Sequence, residues 1–380
     1  MEGFLLDSGR VPTAEQRLLL EAVCLTGADA RTAAEAWLAT VDVEAMGEAS
    51  LRLLPLLYER LRAMGIEHPL TPMLLGVRKR AWYLNSMLLR RAALVVGTLR
   101  AEGIEVMALK GCALTIAYYR DPASRPMVDA DLMVRRSQAE RAVKALCAGG
   151  WKIKEGHQAS ARGFELLRRF GHAVSLGHAS GQEVDLHWSM LPFADDPSEG
   201  WWDRAGEAEL GGEKVRVLDP ADELLHVCAH GAAWNEVSPI RWIADAATVI
   251  GASPELDWSY FIARTRAMGL TLVETNALEL LATYRVRVPA EVLAELGRQR
   301  PALFEQFEYR ALCSATTGVL GFVPRKLCKA PRLTRALGAG VMMRALPDFL
   351  CYACNVERTS ELPGVVLRRL LRRLRDSVAK

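Results

Sequence analysis

The sequence predicts an α/β (α+β) chain in which a small mixed β-sheet is flanked, before and after, by helical regions. Three observations lead there. From Pro12 to about Arg100, segments such as AEQRLLLEAVCL, SLRLLPLLYERLRAM and RAWYLNSMLLRRAALVVGTLRAEG repeat their apolar residues at helical spacing. From Ile104 to about Val217, short apolar or alternating runs bounded by turn residues replace that period. After Asp219-Pro220 the helical period returns, with Asp219 placed as an N-cap and Pro220 as the first helical residue. These changes divide the chain into a helical region 1–103, an α/β core 104–218 and a helical region 219–380 that ends in a basic tail, 362–380.

Within the core the expected order is a strand in EVMAL, a helix to Tyr119, a strand in ADLMV and a helix from Gln138 to Cys147. Strands then follow in WKIKE, HAVSLGH, EVDLHW and EKVRVL. Lys110-Gly111 breaks the first strand just before the helix. A glycine at such a turn lets backbone N–H groups approach an anion, and the helix N-terminus favours negative charge. Strand side chains alternate in direction, so Asp129 and Asp131 project the same way from a run otherwise made of Val128, Leu132, Met133 and Val134. In QEVDLHWSM, Val184, Leu186 and Trp188 alternate with Glu183, Asp185 and His187, which makes Asp185 a third acid on a polar strand face. Carboxylates grouped in this way suit Mg²⁺ (or Mn²⁺), a hard cation often held by one or two acids and substrate phosphates. Crowded like charges also imply that neutralising Asp129 or Asp131 leaves stability unchanged or raised.

The order Leu109-Lys110-Gly111, then Arg125 with Asp129-Ala130-Asp131-Leu132, then His172 and Val184-Asp185-Leu186-His187-Trp188, resembles the largely uncharacterised bacterial nucleotidyltransferases of the DNA polymerase β-like superfamily. The likeness runs from Ala92 to Ile250, because His226, His230, Arg241, Trp242 and Asp245 in LLHVCAHGAAWNEVSPIRWIADAATVI stand at places characteristic of that family's helical segment. What the resemblance implies is a metal-dependent transfer of a nucleoside monophosphate from a nucleoside triphosphate to an acceptor. Asp129, Asp131 and Asp185 would be its catalytic acids and metal ligands, and Lys110, Gly111 and Arg125 would bind the nucleotide. His187, His226, His230 and Arg241 would touch the acceptor or the nucleotide. One departure from the wider superfamily is that Lys110-Gly111 stands where Gly-Ser or Gly-Gly is usual. The implied acceptor is a small molecule, peptide or saccharide, in keeping with modification of natural-product peptides or polysaccharides.

Plainer readings stand beside these. Lys110 can simply be a solvated lysine, Arg125 a salt-bridge partner, His187 a packed core histidine, and Arg241 with Asp245 an ion pair one helical turn apart. Asp222, His226 and His230 share one helix face, yet zinc is disfavoured because the glutamate of an H-E-x-x-H motif is missing. Trp234 and Trp242 read as core. Two other functions fit the same acids: glycosyl transfer from a nucleotide-sugar, or a non-catalytic module that binds a nucleotide or a partner.

Composition narrows the field further. With 380 residues, 51% hydrophobic and 24% charged, the chain has enough apolar residues for two or three cored domains. Lys and Arg (48) nearly balance Asp and Glu (45), so charge requires no nucleic-acid partner. Eight irregularly spaced cysteines make no secreted disulfide framework, and the lone Cys351-x-x-Cys354 has no second pair. MEGFLLDSGR lacks the apolar core of a signal peptide, and the late apolar stretch around 336–354 is interrupted by Arg344, Pro347 and Asp348. A cytoplasmic location is therefore expected. In the tail, Val366, Leu367, Leu370, Leu371 and Leu374 form a stripe opposite Arg368, Arg369, Arg372, Arg373 and Arg375. Docking on the chain's own body, and weak contact with an anionic membrane or an acidic partner, are both open to such a helix.

Overall fold

The computed structural model describes residues 12–154, 159–191, 200–233, 240–313, 327, 330–365 and 367–368. Helices α1 (Ala14–Cys24), α2 (Gly27–Thr40) and α3 (Leu54–Met64) lead to the 31-residue α4 (Thr71–Ala101). The first begins at a reciprocal cap in which Thr13 and Gln16 each bond the other's backbone N–H. Then come β1 (Met107–Ala108), α5 (Lys110–Ala113), a π-helical turn (Leu114–Tyr119), β2 (Ala130–Met133), α6 (Ala139–Ala148), β3 (Trp151–Ile153) and α7 (Ala161–Phe170). The core closes with β4 (Ala173–His178), β5 (Glu183–His187), β6 (Gly206–Leu210) and β7 (Glu213–Val217). Helices α8 (Pro220–Ala233), α9 (Arg241–Ala252), α10 (Trp258–Ala267), α11 (Thr271–Thr283), α12 (Ala290–Arg298), α13 (Leu303–Cys313), α14 (Ala330–Leu337) and α15 (Ala339–Cys354) follow. As expected, Pro220 opens α8, and the Asp219 carboxylate accepts the Ala221 N–H at 2.9 Å.

The seven strands form one mixed sheet in the order β3-β4-β5-β2-β1-β7-β6. Neighbours β2 and β5 run parallel, as do β1 and β7, and the remaining pairs are antiparallel. Two elements go beyond the sequence expectation. Strand β6, GEAEL, carries two glutamates and lies at the sheet edge, where charge is tolerated and blunts further pairing. It joins β7 through Gly211-Gly212, both at positive φ (58° and 92°), the conformation a two-residue hairpin turn demands. Helix α7 begins at Ser160, whose hydroxyl accepts the Gly163 N–H at 2.9 Å. β1 is shorter than EVMAL suggests.

The strand period sorts the two faces of the sheet. Ala108, Ala130, Leu132, Val174, Leu176, Val184, Leu186 and Val215 point to one apolar core, covered by α4, α6, α7 and α15. Phe170 of α7 meets Phe349 of α15 edge-on, with ring centroids 5.6 Å apart. Met107, Leu109 and Met133 point the other way into a second core, in which Leu19, Leu20, Trp37 and Leu57 of the first helices pack with Leu224, Leu225, Ile243 and Phe261 of the later ones. Helices from both ends of the chain thus cover the same sheet face, and the polar side chains of β2 and β5 open toward them. Among the described residues no helix is long and apolar enough to cross a membrane. The apolar stretch before Cys354 is instead α15, which buries Met342, Ala345, Phe349 and Tyr352. Trp234, Val366 and 369–380, and with them most of the basic tail, lie outside the described residues; Leu367 of its apolar stripe is exposed.

Candidate active site

Parallel pairing sets Asp131 of β2 directly beside Asp185 of β5, and Met133 beside His187. With a side-chain period of two, Asp131, Asp185 and His187 all project from the face opposite the apolar core. Their ligand atoms lie within 4.8 Å of one another. Donors on one octahedral Mg²⁺ at about 2.1 Å lie at most about 4.2 Å apart, so these three need only small side-chain movements to share an ion. The donor set, two carboxylates and an imidazole, suits Mn²⁺ in full and Mg²⁺ through its oxygens. Asp129 lies immediately before β2 and lines the same cavity as Asp131, but it is not in this tight trio. His187 takes that place.

Each member of the trio is held by a neighbour. Asp131 Oδ1 accepts hydrogen bonds from Lys110 Nζ at 2.6 Å and from His187 Nε2 at 2.9 Å. Ser175, opposite Asp185 across the β4–β5 ladder, donates its hydroxyl to Asp185 Oδ1 at 2.6 Å. With Nε2 engaged, His187 Nδ1 is buried and has no hydrogen-bond partner among the described residues. Burial works against the charge on Asp131, but the Lys110 ammonium and the His187 ring outweigh it and hold this carboxyl well below the usual carboxylate range. Asp129 shifts the other way, raised by burial and by repulsion from Asp131 and Asp185. Charge in the site is therefore unevenly compensated, with Asp129 the acid that gains most from an added cation.

Lys110 is the first residue of α5, just after β1, at φ 47°, a left-handed conformation that costs a non-glycine residue roughly 1 kcal/mol. Its ion pair with Asp131 holds it there, and strain of this kind gathers at functional sites. Gly111 is favoured for a different reason. A Cβ at this position would lie 2.7 Å from both the Arg125 guanidinium and the Met127 sulfur, so a larger residue would have to push these side-chain ends aside.

Lys110, Gly111, Asp129 and Asp131 form one wall of a cavity of about 220 Å³, whose other walls come from α8, α9, the 125–128 loop and Arg52. Arg125 lines it but is committed elsewhere. Its Nε and Nη2 form a two-pronged ion pair with Asp245 of α9 at 2.9 and 3.0 Å, with both residues buried. Tyr119 donates to the same carboxylate at 2.9 Å. The Arg241–Asp245 pair suggested by helical spacing is long, 3.8 Å, because Asp245 turns to Arg125. Arg241 instead donates to the Pro126 carbonyl at 2.7 Å.

His226 and His230 both line the cavity. Burial, reinforced by cationic neighbours, drives the His226 ring well below its ordinary pKa and that of His230 to about 3, so both are neutral at physiological pH. Asp222 parts from them and accepts the Tyr260 hydroxyl at 3.1 Å, so the shared helix face is no metal-ligand set. Trp242 is buried and also walls the cavity. Two contributors had no signal in the sequence, Ser175 and Arg52, nor had the buried Glu223 of α8. Glu223 is fully buried, neither carboxyl oxygen has a partner among the described residues, and burial pushes its pKa up to about 8.

A mixed sheet that sets two acids side by side, one of them on the wall of a cation-lined cavity, has the α/β character of a nucleotidyltransferase. The model of a family described as uncharacterised nucleotidyltransferases matches residues 49–285, and the chain belongs to that family. An antigenic nucleotidyltransferase-like protein from Paracoccidioides brasiliensis is similar in structure at 15% sequence identity, over 57% of this chain and 96% of that one, with a TM-score of 0.35. No curated protein matches the chain.

Proposed function

We propose that this protein transfers a nucleoside monophosphate from a nucleoside triphosphate to a hydroxyl or phosphate of an acceptor, on a core of the DNA polymerase β-like type. The observation that carries this reading is the pairing of Asp131 with Asp185 on adjacent strands, with Asp131 on the wall of a cavity that Lys110, Arg125 and Arg241 also line. Asp131 and Asp185, with Asp129 and His187 beside them, would hold Mg²⁺ or Mn²⁺. Such an ion, when bound, offsets phosphate charge and lowers the pKa of an incoming hydroxyl. Lys110 can turn from Asp131 to a phosphate by rotating its side chain, and Asp185, fixed by Ser175, is the acid placed to take the proton of the attacking hydroxyl. The acceptor oxygen attacks the α-phosphorus in line, the new O–P bond forms, and pyrophosphate carries away the electrons of the bond that breaks. Arg125 acts through the loop it ties to Asp245 and is not a free phosphate ligand.

The acceptor belongs, in this reading, to the peptide or saccharide class, and the reaction is cytoplasmic; the free thiols of Cys351 and Cys354 accord with a reducing compartment. Incubating the protein with Mg²⁺, a nucleoside triphosphate or a nucleotide-sugar, and pools of peptides, saccharides or cell lysate, followed by product mass measurement, tests it. A nucleoside-monophosphate increment with pyrophosphate release is expected. A hexose increment with release of nucleoside diphosphate would replace it with sugar transfer.

A further inference from the structure

Arg52 follows the short helical turn Glu48–Leu51, outside the α/β core, yet its side chain lines the cavity together with Lys110, Arg125 and Arg241. No hydrogen bond or ion pair involves its guanidinium among the described residues. Arg241 lines the same cavity and is likewise under-compensated, with one carbonyl at 2.7 Å and a carboxylate only at 3.8 Å. Burial first, and then repulsion from Arg125 and Arg52, bring Arg241 down to about 10. Two guanidinium groups that line one cavity repel unless an anion joins them, and their planar forks match phosphate oxygens. A second feature of the same wall points to a ligand: His226 is 1% exposed and its Nε2 has no hydrogen-bond partner among the described residues. Neutral imidazole can donate a hydrogen bond there without adding charge.

The acids lie on the sheet side of this cavity, and Arg52 and Arg241 on the helical side. At about 220 Å³ the cavity is smaller than the roughly 300–1,000 Å³ that encloses a whole drug-sized ligand. It suits a chain of phosphates, with base and ribose left outside. Building on the nucleotidyl-transfer reading, we propose that Arg52 and Arg241 form a clamp for the β- and γ-phosphates, while Lys110 and the acids serve the α-phosphate. Arg125 is not part of the clamp, because Asp245 holds two of its three nitrogens and the third lies against Gly111. The nucleotide site is thereby completed by a residue from the helical region that precedes the core.

The test is calorimetric titration of the full chain, wild type against Arg52→Ala and Arg52→Lys, with ATP, AMP and inorganic tripolyphosphate in Mg²⁺. Removing a charge-assisted hydrogen-bond donor should weaken ATP and tripolyphosphate by about 10- to 100-fold, leave AMP within about twofold and place Arg52→Lys in between. A merely structural role for Arg52 would weaken all three ligands alike, and that result, or no change in any of them, would overturn the clamp. Should the wild type bind tripolyphosphate but not ATP, the nucleotide reading fails while the clamp is still judged by the loss in Arg52→Ala. Failure of the wild type to bind either overturns both. Because Arg52 is only half-buried and makes no side-chain bond among the described residues, a matching thermal midpoint is expected for both variants.

Discussion

Replacing Arg125 with methionine is expected to destabilise the protein by about 3–5 kcal/mol, because it strands a buried carboxylate. Asp245 is 3% exposed, and after the change it keeps only the Tyr119 hydroxyl at 2.9 Å and the distant Arg241. At roughly 2 °C per kcal/mol for a chain of this size, the thermal midpoint should drop by about 6–10 °C. Asp245→Leu alone should be comparably harmful, since it leaves Arg125 buried without a partner. The double variant Arg125→Met with Asp245→Leu removes both charges and should recover most of the loss. Urea unfolding of the four proteins measures the cycle; additive losses would show that the two residues do not act as the pair that ties the 125–128 loop to α9.

The Asp131→Asn variant should lose turnover by about 10³-fold or more, since it removes the carboxylate best placed to serve metal and phosphate together. Stability should also fall, by about 1–3 kcal/mol, because Asp131 Oδ1 is the shared acceptor of Lys110 and His187 and the ammonium loses its counter-charge. For this acid the structure reverses the expectation from crowded like charges. For Asp129 that expectation stands: its carboxyl is raised by burial and by its acidic neighbours, so Asp129→Asn should leave the midpoint unchanged or higher. The pH dependences oppose each other too. A folded-state pKa below the unfolded value of about 3.9 makes the Asp131 contribution full above that range and lost as pH falls through and below it. The raised pKa of Asp129 gives a contribution present below its unfolded value and lost as pH rises through its folded value. Thermal melts of the two variants between acidic and neutral pH would show these opposite trends. A higher midpoint for Asp131→Asn at neutral pH would mean that the Lys110 ion pair is not formed in solution.

How much of this was legible in the sequence follows from how local each signal is. Alternation in ADLMV and EVDLHW is a property of neighbouring residues, so it gave the strands and the shared direction of the acids within each. That β2 and β5 lie side by side, in the register that sets Asp131 beside Asp185, depends on the whole topology; the sequence offered Asp185 as a third acid for the same metal but not this neighbourhood. Helical spacing proposed Arg241 for Asp245, and a residue 120 positions away won, because Arg125 reaches it with two parallel hydrogen bonds. His187 was placed on the correct strand face, but its bond to Asp131 joins two neighbouring strands that are distant in sequence and has no local signature. Strand β6 and Arg52 lacked any signal: an edge strand needs no apolar alternation, and one arginine in a helical region looks like any solvated surface residue.

The central claim is that the acids and the cation-lined cavity form one metal-dependent nucleotide site. Calorimetric titration of ATP into the wild type and into Asp131→Asn, with Mg²⁺ and again in EDTA, tests it most directly. Carboxylates repel phosphates unless a cation lies between them, so the account predicts binding by the wild type in Mg²⁺, little or none in EDTA, and loss of the Mg²⁺ dependence in Asp131→Asn. Equal affinity with Mg²⁺ and in EDTA, or an Asp131→Asn variant that responds to Mg²⁺ as the wild type does, would contradict it.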